Sequence, residues 1–170
     1  DYPFLQDPEG NKLFFKEIIY VEICDLEKIQ TGDVVALIGD FDSKSIATLL
    51  KLISKRAIIV PLTKETRNQH EYFFSEAFVQ YVFEKNKLFR VISELQISHP
   101  FLDSLRKKGN PGLVLFTTGT TGRPKAILHD FIPFISRYKT PRPPLKSISF
   151  LLFDHIGGIN TLLHMLFNLG

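Results

Sequence analysis

The chain has 170 residues, of which 44% are hydrophobic and 23% charged, a balance that supports a folded core and excludes an intrinsically disordered protein. Its 21 basic and 18 acidic residues give a net charge of +3, which is too even to indicate a nucleic-acid-binding protein. No apolar run reaches the roughly 18–20 residues of a membrane span, and the single cysteine, Cys24, excludes an internal disulfide and fits a reducing, cytoplasmic compartment.

The first 30 residues are interpreted as a lead-in. Residues 1–12 contain prolines, a glycine and an asparagine, which indicate turns. The apolar and β-branched stretch Phe14–Cys24 favours a strand, and Asp25–Gln30 favours a short helix or turn.

A strand–helix–strand unit follows. The glycine-bounded run Val34–Ile38 predicts a buried strand, and Ser45–Lys55 carries apolar residues at helical spacing. Ala57–Val60 predicts a second buried strand, which Pro61 is expected to close. This order predicts two parallel strands joined by a right-handed crossover.

The next elements lead toward a glycine- and proline-rich turn. A helix is predicted over Glu65–Ala77, and two strands, Phe78–Phe83 and Leu88–Ile92, flank a turn at Glu84–Lys87. A short helix is predicted over Phe101–Lys108, directly before the glycine- and proline-rich turn at residues 109–112.

The stretch Leu113–Ala126, LVLFTTGTTGRPKA, predicts a strand, a turn rich in glycine and threonine, and a second strand ending at Ile127–His129. Glycines let a ligand approach the main chain, successive N–H groups can form an anion nest, and the hydroxyls and Lys125 add donors and a positive charge. This chemistry suits a polyphosphate. The stretch is not a Walker A loop, because Ala126 stands where that loop needs Ser or Thr.

The last part of the chain predicts a helix over Asp130–Tyr138 and a basic, proline-rich surface loop over Arg137–Pro144, interpreted as a solvated linker. A buried strand is predicted over Ser147–Phe153. An Asp-His pair with two glycines then precedes a predicted apolar helix, Thr161–Phe167.

The glycine–threonine stretch resembles the phosphate-binding signature of the adenylate-forming superfamily, which includes acyl-CoA synthetases, luciferases and the adenylation domains of peptide synthetases. In that signature an aromatic residue precedes Thr-Ser-Gly-Thr-Thr-Gly-x-Pro-Lys-Gly. This chain departs at Thr118, in place of serine, and at Ala126, in place of glycine. The ending Val60-Pro61-Leu62 and the block Phe153-Asp154-His155 are similar to two further landmarks of the superfamily.

Each of these segments also has a plainer interpretation. The signature could be a polar hairpin turn, and the strand–helix–strand unit could belong to any parallel α/β protein. Asp154 could cap a helix beside a structural His155.

The resemblance implies a fold and a division of the chain. The fold is α/β, with a mixed, largely parallel sheet flanked by helices, as in part of the large N-terminal domain of these enzymes. The lead-in would span residues 1–30, the β-α-β region 31–112, and the phosphate loop with a pocket-lining segment 113–170.

The resemblance also implies a function, namely ATP-dependent activation of a carboxylic acid by the full-length enzyme. An acyl-adenylate would form with Mg²⁺ present, followed by a thioester to CoA or an acyl-carrier protein. The expected phosphate-binding residues are Thr117, Thr118, Gly119, Thr120, Thr121, Gly122 and Lys125. His155 and Gly157 are expected to line the acyl and nucleotide pocket, whereas catalytic residues and metal ligands are expected outside this chain.

The superfamily's aromatic-Gly-x-Thr-Glu block, its ribose-binding aspartate and its C-terminal catalytic lysine have no counterpart in this sequence. We therefore expect a fragment that forms no acyl-adenylate alone. Two alternatives stay open, which are a shortened, non-catalytic relative that binds a nucleotide or a partner, and an unrelated α/β binding domain.

Overall fold

The elements of the protein are taken from a computed structural model, which describes residues 3–6, 9–91, 98–117, 122–140, 142–143 and 151–168. The strands are β1 (Leu5–Gln6), β2 (Lys12–Leu13), β3 (Val34–Ile38), β4 (Ile58–Leu62), β5 (Tyr81–Glu84), β6 (Lys87–Arg90), β7 (Gly112–Thr117) and β8 (Lys125–Asp130). The α-helices are α1 (Phe15–Ile19), α2 (Ser43–Ser54), α3 (His70–Glu76), α4 (Pro100–Lys108), α5 (Phe131–Ser136) and α6 (Ile156–Phe167). Two 3₁₀ helices span Leu26–Lys28 and Lys64–Gln69.

Six strands form one sheet in the order β6-β5-β3-β4-β7-β8. The four inner strands are parallel, and the edge strands β6 and β8 run antiparallel to their neighbours. Strands β1 and β2 form a separate antiparallel pair. The predicted α/β class with a mixed, largely parallel sheet is therefore confirmed.

Apolar layers cover both faces of the sheet, which is why the inner strands are continuous hydrophobic runs rather than alternating ones. On one face, Val35 and Leu37 of β3 belong to the same buried cluster as Leu49 of α2 and Ile159 of α6. On the opposite face, the other residues of β3 pack with α3 and α4, including Phe73.

Helix α2 begins where the sequence provides a cap. The Asp42 carboxylate accepts hydrogen bonds from the backbone N–H groups of Lys44 and Ser45, both at 3.0 Å. The helix then buries one face from Ser45 to Leu52 and connects the parallel strands β3 and β4. The predicted strand–helix–strand unit is confirmed, with its helix beginning two residues earlier.

Most other predicted elements are present with small shifts. The helix predicted over Glu65–Ala77 is divided into the second 3₁₀ helix and α3. The turn between β5 and β6 contains Lys85 and Asn86 with positive φ values of 49° and 61°. The predicted strand end at Ile92 lies outside the described residues.

The strand predicted over Phe14–Cys24 is wrong, because Phe15–Ile19 is the helix α1. The Glu17 carboxylate accepts a hydrogen bond of 2.7 Å from the Phe14 backbone N–H and so stabilises the helix start. Only Ile18 in this helix is buried, whereas Phe15 and Ile19 are exposed. The apolar residues of this stretch therefore do not form a buried strand, since Ile18, Val21 and Ile23 pack against the core whereas Phe15 and Ile19 face solvent.

Pro61 does not close its strand, because β4 continues to Leu62 with Pro61 in register with Leu37. The Ile58 N–H donates to the Asp33 carbonyl just before β3, and the Leu62 carbonyl accepts from the Gly39 N–H just after β3. Successive residues of a strand direct their backbone N–H groups to opposite neighbouring strands, so the Pro61 nitrogen faces β7. The pairing of β4 with β7 already ends at Ile59. The missing proline N–H therefore removes no ladder bond.

The strand predicted over Ser147–Phe153 is wrong in its described part, since 151–153 form a bend and a turn, and residues 144–150 lie outside the described ranges. The Phe153 side chain is fully buried and packs edge-on against Phe41, with ring centroids 5.7 Å apart. A turn bond from the His155 N–H to the Leu152 carbonyl, 3.1 Å, directs the chain into α6. Helix α6 begins at Ile156, five residues before the predicted start.

Among the described residues, no helix combines the length and the apolar character needed to cross a membrane.

We predict that Leu49→Ala lowers the free energy of unfolding by about 2–5 kcal/mol, because a fully buried side chain would be replaced by a cavity between α2 and the sheet. Denaturant unfolding followed by circular dichroism measures this change. The control is Lys44→Ala, an exposed position of the same helix, which should stay within about 0.5 kcal/mol of the wild type. Equal losses for the two variants would contradict the assignment of the core.

Candidate functional site

The carboxyl ends of the inner strands meet at one edge of the sheet, because these strands are parallel. Asp40 follows β3 by two residues, Thr63 directly follows β4, and Thr117 is the last residue of β7. This is the edge at which open α/β sheets bind their ligands. The described residues that flank the glycine–threonine stretch lie at this edge, as does the segment around His155.

Two described residues flank the glycine–threonine turn as cross-strand partners. Thr117 at the end of β7 pairs with Lys125 at the start of β8, and both side chains are exposed. Directly opposed residues of an antiparallel pair present their side chains on the same face. The Thr117 and Lys125 side chains therefore lie on the same face of the strand pair, at the two ends of the turn.

Gly122 is the one glycine of this turn that the structure describes. Its φ of +99° lies in the region that L-residues with side chains rarely adopt, and a Cβ built on it would meet no atom within 4 Å. Backbone conformation rather than lack of space thus requires glycine here. Thr118, Gly119, Thr120 and Thr121 lie outside the described residues, and their assignment stays a prediction.

Helix α3 contacts both sides of the turn. The Phe73 ring stacks on Phe116 of β7, with centroids 4.1 Å apart and an interplanar angle of 25°. The Tyr72 hydroxyl donates a 2.9 Å hydrogen bond to the Pro124 carbonyl on the β8 side. The Arg123 guanidinium lies over the Tyr72 ring at 6.0 Å from its centroid. One helix thus holds the strand before the turn and the residues after it.

The Asp154-His155 pair lies between the end of β4 and the start of α6. The Thr63 hydroxyl donates to Asp154 Oδ2 at 3.3 Å, and His155 Nε2 lies 3.7 Å from Asp154 Oδ1. Oδ1 is buried and accepts no hydrogen bond from the described residues. The His155 side chain is half-exposed at the N-cap position of α6. Asp154 is therefore held by Thr63, the residue that follows β4. The His155 side chain faces solvent at the edge of the sheet where the carboxyl ends of the inner strands meet.

The two glycines of α6 differ in what they allow. A Cβ on Gly157 would lie 2.2 Å from the end of the Leu151 side chain, which can move. A Cβ on Gly158 would lie 2.2 Å from the Leu152 backbone carbonyl oxygen, which cannot move without shifting the chain. Gly158, which the sequence analysis did not single out, is thus the stricter glycine. Close packing of α6 on the preceding turn accounts for both.

His70, the first residue of α3, is buried at this edge. Its Nε2 lies 2.9 Å from the Thr63 carbonyl oxygen and 3.4 Å from the Thr66 hydroxyl. Burial lowers the pKa of His70 below its usual range, so the neutral imidazole donates its N–H to Thr63. This contact fixes the start of α3 to the end of β4.

Asp40 lies in an acidic neighbourhood. Burial raises the pKa of the Asp40 carboxyl above its usual range, and the nearby carboxylates of Glu65, Asp154 and Asp42 raise it further. A hydrogen bond from the Phe41 N–H opposes this shift. Beside Asp40 lies an open cavity of about 420 Å³ between the ends of β3 and β5, with Lys44, Lys64 and Lys85 among its lining residues.

The structure therefore brings Thr117, Gly122 and Lys125 together and places His155 and Gly157 at the start of α6 on a separate segment. Among the described residues, no hydrogen bond or ion pair joins His155 to the turn. The residues that connect the two parts, namely Thr63, His70 and Tyr72, were not identified as site residues from the sequence. The feature of the sequence that could have indicated Tyr72 is its position beside a second aromatic residue, Phe73, in the middle of the helix α3.

Comparisons with protein-family models and with curated protein sequences gave no match. Comparison with solved structures gave several similar folds. The N-terminal subdomain of NpsA from Klebsiella oxytoca, in complex with 3-hydroxybenzoyl-AMSN, is 18% identical with a TM-score of 0.58, covering 94% of this chain and 47% of that one. The inhibitor-bound N-terminal domain of FACL13 from Mycobacterium tuberculosis is 18% identical with a TM-score of 0.57, covering 82% of this chain and 43% of that one.

A variant of Escherichia coli MenE with bound OSB-AMS is 14% identical with a TM-score of 0.56, covering 84% of this chain and 34% of that one. These proteins are adenylate-forming enzymes. This chain has the fold of their N-terminal domain. It spans between 34% and 47% of the lengths of these three matched chains.

Among the described residues, no group of three or more His, Cys, Asp or Glu side chains is arranged to hold a metal ion. Besides burial, the Glu65 and Asp154 carboxylates raise the pKa of Asp40, but the three side chains do not form such a group. We therefore assign no magnesium ligand to the described part of the chain.

We predict that His70 makes stability depend on pH. Because its pKa is lowered in the folded state, the unfolded chain takes up a proton first as the pH falls. The stabilisation is present above the ordinary pKa of about 6.5 and is lost below it. His70→Gln should therefore show a smaller fall in Tm between pH 7.5 and pH 5.5 than the wild type.

Differential scanning fluorimetry across this pH range measures the effect, with the comparison at pH 8 as the reference for the pH-independent cost of the substitution. His129, whose pKa is also lowered by burial, contributes a fall that both proteins retain. An unchanged slope in His70→Gln would show that His70 is not held neutral.

Proposed function

We propose that this chain supplies the ATP phosphate-binding element of an adenylate-forming enzyme that activates a carboxylic acid. The observation that carries the proposal is the pairing of Thr117 with Lys125 at the carboxyl edge of a parallel sheet. Between them runs the turn whose sequence resembles the phosphate signature. The likeness of fold to adenylate-forming enzymes supports the same assignment.

The reaction makes clear what the turn would contribute. A carboxylate oxygen of the substrate attacks the α-phosphorus of ATP, the bond to the bridging oxygen of the β-phosphate breaks, and pyrophosphate leaves with that oxygen. Negative charge grows on the leaving group as the bond breaks. Positioned backbone N–H groups, hydroxyls and a cation stabilise such charge. Lys125, with an exposed ammonium group beside the turn, is the described cation placed for this role.

The β- and γ-phosphates would be held by the backbone and hydroxyls from Thr117 to Thr121, with Gly122 allowing the turn to close around them. His155 would border the adenylate from the start of α6. The acid would occupy the remaining space. The 3-hydroxybenzoyl group bound to the similar structure of NpsA is an acyl group, which supports a carboxylic acid as the substrate class.

CoA or a carrier protein as the thiol acceptor, and Mg²⁺ as the counter-ion of ATP, complete the proposal. Neither is assigned to residues of this chain. The acceptor and the acid would be recognised by the full-length enzyme, and this chain would contribute the phosphate-binding element.

We predict that the chain binds MgATP and that Lys125→Ala weakens this binding at least about tenfold, since a charge-assisted contact to phosphate is worth about 1.5–3 kcal/mol. Isothermal titration calorimetry with MgATP measures both dissociation constants. Lys139→Ala removes an exposed lysine after α5, away from the turn, and is the matched control with unchanged affinity.

Equal MgATP affinity of the wild type and Lys125→Ala would contradict the proposal and favour an unrelated α/β binding domain. Lysine-dependent binding without carboxylate-dependent exchange of pyrophosphate into ATP is expected both for a fragment of such an enzyme and for a shortened, nucleotide-binding relative. The mass of the native protein in its source cells distinguishes these two.

A further inference from the structure

We propose that Tyr72 of α3 is a positioning residue that fixes Lys125 for phosphate binding. The inference rests on the proposed function and deepens it, because it names a residue outside the glycine–threonine stretch on which the cation depends. Its basis is the hydrogen bond of 2.9 Å from the Tyr72 hydroxyl to the Pro124 carbonyl oxygen.

The bond acts on Lys125 through the planar peptide group. The Pro124 carbonyl and the Lys125 nitrogen belong to one peptide unit, whose atoms lie close to a plane. Fixing the carbonyl direction therefore fixes the plane from which Lys125 begins. Proline adds a φ held near −65°, so that few backbone rotations remain free on this side of the turn.

Tyr72 acts from a fixed base. The start of α3 is held by the contact of His70 with the Thr63 carbonyl. The adjacent Phe73 is only 4% exposed and stacks on Phe116, one residue before Thr117. The same helix therefore sets the position of both cross-strand partners, Thr117 through Phe73 and Lys125 through Tyr72.

The Tyr72 hydroxyl can be separated from packing. The side chain is half-buried, Phe73 supplies the buried contact of this turn of α3, and the hydroxyl is bonded to a carbonyl 52 residues further along the chain. Tyr72→Phe removes the hydrogen bond and keeps the ring beneath the Arg123 guanidinium. Loss of function in this variant thus reports on the direction of the carbonyl rather than on the core.

The test is a double-mutant cycle on MgATP affinity by calorimetry, using the 170-residue chain and the variants Tyr72→Phe, Lys125→Ala and their combination. Tyr72→Phe should raise the dissociation constant about three- to tenfold, the size expected for one hydrogen bond. In the Lys125→Ala background the same substitution should have no further effect. Tyr81→Phe is the matched control, because it removes a hydroxyl from a half-buried tyrosine of β5 away from the turn.

A purely structural role would lower Tm and weaken binding equally in both backgrounds, and such additivity would overturn the inference. Unchanged affinity in Tyr72→Phe, with affinity still lost in Lys125→Ala, would overturn the inference and leave the proposed function intact. Absence of Lys125-dependent MgATP binding in the wild type would overturn both.

Discussion

The parallel pairing of β5, β3, β4 and β7 is the constraint on which the rest of the molecule depends. Parallel strands need crossover connections, so helices must cover the sheet on both faces. The same pairing sends the carboxyl ends of the strands to one edge, where Asp40, Thr63 and Thr117 are gathered from separate parts of the sequence. Because apolar helices cover both faces of the sheet, the polar side chains that could bind a ligand lie at the ends of its strands.

Much of this arrangement could be predicted from local patterns. Val34–Ile38 is a continuous apolar run bounded by glycines, which only a doubly covered strand explains well, and Asp42 supplies the cap of α2. The glycine–threonine turn was predicted from residue types at fixed positions, a signal that does not depend on tertiary contacts. Lys125 was predicted as a phosphate-binding residue in the same way, and its pairing with Thr117 agrees with the predicted order of strand, turn and strand.

What the sequence concealed is non-local or depends on the backbone. The Tyr72 hydroxyl donates to the carbonyl of Pro124, which lies 52 residues away in the sequence. A periodic pattern of residue types does not predict such a contact. The helix α1 was mistaken for a strand because its exposed Phe15 and Ile19 mimic a buried run. The early start of α6 depends on Gly158 lying against the Leu152 carbonyl, a contact that exists only after folding.

Pro61 has a consequence for the backbone hydrogen bonds at the carboxyl edge of the sheet. The pairing of β4 with β7 ends at Ile59, and the Pro61 nitrogen, which faces β7 two residues later, carries no hydrogen with which to continue it. The chain therefore has no N–H donor at position 61 for a longer ladder between β4 and β7. This limit on hydrogen bonding is set by the proline ring and not by side-chain packing, so substitutions among the surrounding apolar residues would leave it unchanged.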